Sequence, residues 1–151
     1  MTIDDTPQEE DSKEMAHAGS AGVEWDLTWE SGLTEEEMRQ RLEEWLTLIS
    51  KELIGAGPML GHIKAIFKCK DGWMRVNLVD PRLKMDVDGD LKGAVQGGRM
   101  KVMAALVGKN DEQVMDGLLK GTGTFLKGQD SNVRIIRTTK KDNIIRMEGL
   151  M

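Results

Sequence analysis

The chain predicts an α+β fold, an antiparallel sheet with two helices packed on one face, in the order β-α-β-β-β-β-α-β-β. Three observations predict it. Two segments repeat apolar residues at three- and four-residue spacing, several others alternate apolar with polar residues, and the pair Asp71-Gly72 marks a tight turn between two of the alternating runs. Short links join most of the strands, and strands joined by short links are antiparallel neighbours.

At 151 residues and 39% hydrophobic content, the chain can fill one sizeable core. The expected organisation is an acidic, disordered tail over residues 1–22 and a single domain over 23–151. No run approaches the roughly 20 apolar residues of a membrane helix, and MTIDDTPQEEDSKEM lacks the basic and then apolar regions of a secretory signal. The expectation is a cytoplasmic protein with no membrane partner. Cys69 is the single cysteine, so an intrachain disulfide and a cysteine-cluster metal site are excluded, and His17 and His62 are too few for a histidine-rich zinc site. Neither a metal nor a cofactor is expected.

Charge is unevenly distributed. Residues 1–45 hold 14 Asp/Glu against 3 Lys/Arg, a net of -11, whereas residues 46–151 hold 12 against 18, a net of +6; together they give the chain's -5. An acidic segment beside a basic body reads as a solubilising tail, or as one that folds over and competes for the basic surface.

In chain order, Val23, Trp25, Leu27 and Trp29 alternate with Glu24, Asp26, Thr28 and Glu30, the pattern of a half-buried strand or of an acidic, aromatic docking motif. Residues 35–54 form the first helix. Thr34 caps it, Glu37 completes a capping box, Leu33 and Met38 form a staple, and Met38, Leu42, Trp45, Leu46, Ile49 and Leu53 make one apolar stripe. Gly55, Gly57 and Pro58 end it.

A hairpin follows over residues 62–79. With Asp71-Gly72 as its turn, Lys70 pairs with Trp73 and Cys69 with Met74. That register puts Ile63, Ala65, Phe67, Cys69, Met74, Val76 and Leu78 on an inner face. His62, Lys64, Ile66, Lys68, Lys70, Trp73, Arg75, Asn77 and Val79 fall on an outer one. Asp80-Pro81 breaks the strand, Leu83, Met85 and Val87 suggest a short one ending at Gly89-Asp90, and the glycine-rich stretch to Gly98 reads as a loop. Residues 99–107 resume the alternation as a central strand, with Arg99 and Lys101 on its polar side. Asn110, Asp111 and Glu112 open a second helix with Val114, Met115, Leu118 and Leu119 as its stripe, ended by Gly121 and Gly123. Residues 133–138 and 144–147 read as a terminal hairpin.

Chemistry-bearing constellations are few. Asp86-Val87-Asp88-Gly89-Asp90 starts like a calcium loop, but Leu91 and Gly97 stand where an EF-hand needs glycine and a bidentate carboxylate, so a polar strand end is the simpler reading. The glycines lack the strand-to-helix setting of a phosphate loop. Cys69 and His62 lie on opposite strand faces by parity, which removes them as a nucleophile and base pair. No catalytic residue is assigned. Met38, Met74, Met85, Met100 and Met115 read as core fillers.

The candidate partner- or anion-binding face is Lys64, Lys68, Lys70, Trp73 and Arg75, joined by Arg99 and Lys101 if their strand shares the sheet and the facing. A second basic cluster comprises Arg134, Arg137, Lys140, Lys141 and Arg146. The leading expectation is a non-catalytic binding or assembly module acting on a protein partner or on itself, as a homo-oligomer, through a sheet surface or edge strand. The alternatives are a module for RNA or single-stranded nucleic acid on the basic sheet face, and a small-molecule carrier or enzyme with a methionine-lined pocket opening near 93–98.

Overall fold

The structure, a computed structural model, describes residues 18–129 and 134–140. Its elements are β1 (Ala18–Leu33), α1 (Glu35–Ile54), β2 (Gly61–Cys69), β3 (Gly72–Leu78), β4 (Asp86–Leu91), β5 (Val95–Val107), α2 (Asp111–Lys127) and β6 (Arg134–Lys140). One antiparallel sheet runs β4-β3-β2-β5-β1-β6. The two helices cover one of its faces, as the α+β pattern predicts. The strand expected over 144–147, and most of the segment expected as an acidic tail, lie outside the described residues.

Each helix begins where its cap dictates. Thr34 Oγ1 accepts from the Glu37 backbone N–H and Glu37 Oε1 accepts from the Thr34 backbone N–H, both at 3.1 Å. The two bonds satisfy amides that the first turn would otherwise leave unpaired. The backbone bond from Thr34 holds the Glu37 carboxyl below the usual carboxylate range. Asn110 and Gln113 make the same reciprocal pair at the start of α2. All six residues of the expected α1 stripe are buried.

The core is an aromatic stack under that stripe. Trp45 stacks on Phe125 with ring centroids 4.3 Å apart and tilts against Trp25 at 5.4 Å. Its indole N–H donates to Thr122 Oγ1 at 2.9 Å, and that hydroxyl donates to the Leu118 carbonyl at 2.7 Å, so these two buried polar groups are paired, whereas the buried Trp25 Nε1 has no partner among the described residues. Met38, Met74 and Met100 fill the space between layers, while Met85 and Met115 border it.

β6 runs to Lys140, past the expected strand end at Thr138, and four other boundaries differ from the sequence reading for reasons of packing or hydrogen bonding. β1 starts at Ala18, inside the segment expected as tail, because residues 18–22 continue the ladder with β5 from Val107 to Met103. α2 runs past Gly121 and Gly123 to Lys127. A Cβ on Gly121 would stand 2.6 Å from Ile49 Cα, so this glycine marks the closest approach of two helices rather than the end of one. β5 begins at Val95 and takes in Gly98, where a Cβ would meet Phe67 Cζ at 2.6 Å. β4 begins only at Asp86, because residues 80–83 form a turn in which the Arg82 N–H donates to Asp80 Oδ1 and the Leu83 N–H to the Asp80 carbonyl, each at 2.9 Å.

The hairpin differs more subtly. Lys70 and Asp71, not Asp71 and Gly72, form its two-residue loop, and the pairs are Cys69 with Gly72 and Lys68 with Trp73. Gly72 is drawn into the ladder at φ 144°, and the Asp90 carbonyl oxygen of β4 lies 1.8 Å from where a Cβ would be. The shift is two residues, so every side chain within the two strands keeps its expected face, and only Lys70 leaves it for the loop.

Candidate functional site

The outer face is the sheet surface away from the helices. Strand parity places on it Trp73 and Arg75 of β3, Lys64, Ile66 and Lys68 of β2, and Arg99, Lys101 and Met103 of β5. β2 lies between β3 and β5, with Lys68 opposite both Trp73 and Arg99, and Ile66 opposite both Arg75 and Lys101. The structure thus brings together six of the seven candidate residues. Lys70 is the exception: it sits in the hairpin loop, because the turn moved one residue toward it. Trp73 is held by Arg75, whose guanidinium carbon is 6.0 Å from the ring centroid, and by Lys68 across the strands, where Lys70 was expected.

The sequence reading missed the acids that flank this band. On one side β4 presents Asp86, Asp88 and Asp90 opposite Asn77, Arg75 and Trp73; on the other β1 presents Glu24 and Asp26 opposite Lys101 and Arg99. Arg75 Nη2 donates to Asp88 Oδ2 at 3.1 Å, and Arg99 Nε to Asp26 Oδ1 at 2.9 Å. The Asp26 bond raises the Arg99 pKa further above its ordinary value. Glu24, Asp26, Asp86, Asp88 and Asp90 therefore offset Lys64, Lys68, Arg75, Arg99 and Lys101 one for one. From β4 to β1 these charges cancel, with a basic band between two acidic stripes, and beyond β1 the Arg137 and Arg134 positions of β6 stand opposite Asp26 and Thr28.

Along the strands the face changes character. Beyond Lys64 and Met103 the outward positions, His62 apart, become small or apolar: Ser20 and Gly22 on β1, Ala105 and Val107 on β5, Leu60 just before β2 and Val79 just after β3. Leu60 is 63% exposed, Val79 49%, Val107 46%, and Trp73 at the charged end 38%. These are large apolar residues on a surface that a lone domain has no folding reason to keep apolar.

Other sites account for themselves. Asp86, Asp88 and Asp90 spread along a strand, and no group of three or more possible metal ligands forms among the described residues. Cys69 is half-buried on the inner side with Sγ 3.6 Å from the Gly72 carbonyl, while His62 is exposed on the outer side. The second basic cluster enters through β6, whose Arg137 position pairs with Asp26, so acidic β1 separates it from the first; Lys141 and Arg146 lie outside the described residues. A cavity of about 500 Å³ opens at the start of α2, beside Gly19, Lys109, Asn110 and Asp111. Two of its polar side chains are already engaged, Asp111 Oδ1 by the Ser20 N–H and Asn110 Oδ1 by the Gln113 N–H, both at 2.8 Å. A smaller one of about 190 Å³ lies beside Glu52, Asp116 and Lys120, so neither adjoins residues 93–98.

No helix among the described residues is long and apolar enough to cross a membrane. Comparison with protein-family models, with curated proteins and with solved structures finds nothing that matches this chain.

Proposed function

We propose that this chain is a non-catalytic binding or assembly module and that its working surface is the outer face of the sheet. One observation carries the reading: from β4 to β1 the face balances its own charges and yet leaves Leu60, Val79, Val107 and Trp73 exposed. Protein interfaces combine such an apolar centre with paired charges, whereas a phosphate-binding surface keeps an excess of cations. The cytoplasmic setting belongs to the same reading and rests on the single cysteine.

Affinity capture of the full chain from its own cells, with untagged copies co-expressed, tests the proposal. Proteins or copies retained by the wild type should be lost when Ile66→Glu and Met103→Glu are combined, in a variant whose circular dichroism and melting match the wild type. Identical retention by the two would overturn it.

Binding of single-stranded nucleic acid is the second reading, favoured by the contiguity of Trp73 with basic positions on three adjacent strands. A phosphate would have to displace Asp88 from Arg75 and Asp26 from Arg99. Saturable, salt-dependent binding of an oligonucleotide by the wild type would favour it over the first.

A further inference from the structure

The outer face has a symmetry that points to its occupant. β5 carries Met103, Ala105 and Val107 outward; on one side of it β2 presents Lys64 and Lys68, and on the other β1 presents Glu24 and Asp26. Basic and acidic strands stand at equal distances from the same central strand. A two-fold axis along β5 exchanges them. From these positions we propose that a second copy of this chain packs face to face on the first about that axis, an inference that rests on the binding-face reading above.

Such an axis leaves positions along the strands unchanged, so the pairing can be read from the registers. Lys68 aligns with Arg99 and Arg99 with Asp26, which sets Lys68 of each copy against Asp26 of the other. Lys64 aligns with Met103 and Met103 with Gly22, so Glu24 falls between Lys64 and Lys68 of the opposite copy. The two-fold makes each contact twice. Met103, Ala105 and Val107 meet their own counterparts on the axis, and Ser20 and Gly22 present little bulk to the β2 strand above them. Arg99 and Lys101 also approach the axis, but Arg99 is held by Asp26 of its own sheet and Lys101 stands beside Glu24.

The dimensions are adequate. Centring on β5 overlaps five strands, β3 to β6 across the sheet, with β2 being nine residues long. At about 4.8 Å between strands and about 3.3 Å per residue this is roughly 700 Å² per copy. A stable interface buries about 800 Å² per partner. The apolar end alone would fall well short, so the dimer needs the charged end too.

Charge exchange tests this arrangement without removing a core residue. One full-length variant carries Lys64→Glu and Lys68→Glu, the other Glu24→Lys and Asp26→Lys. In sedimentation equilibrium the wild type should dimerise and each variant alone should be monomeric. Their equimolar mixture should recover the dimer as a heterodimer, since both of its β2–β1 contacts then join opposite charges. Circular dichroism confirms that each variant is folded. A mixture that remains monomeric, or a variant that dimerises as well alone as the wild type does, overturns the proposed axis.

Zero-length carbodiimide cross-linking of mixed nitrogen-14 and nitrogen-15 protein separates the occupants. Mixed-isotope pairs joining Lys68 to Glu24 or Asp26 support the second copy. Single-isotope links from the band to the acids of residues 1–17 would place the chain's own N-terminal segment there and overturn it. A monomer that still loses captured proteins on Ile66→Glu and Met103→Glu substitution would also overturn it, while leaving the binding-face reading standing.

Discussion

Arg99 donates through Nε to Asp26 Oδ1 at 2.9 Å across the seam between β5 and β1, 73 residues apart in the chain. The pair turns what composition presents as a cationic patch into a compensated one. Surface ion pairs contribute only about 0.2–1 kcal/mol each, so this one matters less for stability than for what the face can bind.

Freeing the arginines should therefore change binding and leave folding nearly intact. Asp26→Asn combined with Asp88→Asn should raise low-salt retention on an anionic resin, with stability in urea within about 1 kcal/mol of wild type. Unchanged retention would mean that the two carboxylates do not limit access to Arg99 and Arg75.

This pair also marks where sequence ceases to be legible. The facing of Arg99 and Lys101 follows from period-two alternation, and Glu24 and Asp26 fall on a polar face by the same rule. That β1 lies beside β5 does not follow, because it depends on strand order over the whole sheet. Local signals fared best: the Thr34 and Glu37 box, the α1 stripe and the inner and outer faces of the hairpin appear as expected. Glycine fared worst. Gly98 and Gly121 resemble a loop residue and a helix terminator in sequence, while in space each makes room for a close neighbour, Phe67 and Ile49 respectively.

The helix contact gives a paired test. Gly121→Ala places a methyl group against the Ile49 backbone, an overpacking cost of about 1–3 kcal/mol that exceeds the gain of about 1 kcal/mol in helix propensity. Gly123, with open space where its Cβ would be, should instead gain about 0.5–1 kcal/mol on Gly123→Ala. Urea midpoints moving in opposite directions are expected; stabilisation by both would contradict the close approach of α1 and α2.

Trp45 offers a second stability test. Thr122→Val preserves shape but leaves the buried indole N–H without an acceptor, at a cost of about 1–3 kcal/mol. Thr122→Ser keeps the hydroxyl and should cost less. Equal urea midpoints for the two variants would remove this hydrogen bond from the account.

Asp80 predicts a local acid titration. Its Oδ1 accepts from Arg82 Nε at 3.0 Å and its Oδ2 from Nη2 at 2.8 Å, and with the Arg82 backbone N–H these bonds pull the carboxyl from 3.8 to about 2. Because the folded value is depressed, its stabilising contribution is complete above about 3.8 and is lost as pH falls through about 2. A carboxyl-detected NMR titration should show a midpoint near 2 that moves toward 3.8 in Arg82→Ala. A wild-type midpoint already near 3.8 would contradict the pairing.

Photo-cross-linking in the cell tests the central claim, that the outer sheet face is where this protein is bound. A photoreactive amino acid replaces Ile66 or Met103 on that face, or Glu44 on α1 as a control. Adducts, with another protein or with a second copy, are expected from the two sheet positions and not from the helix. Adducts from the helix alone, or none from the sheet, would contradict the account.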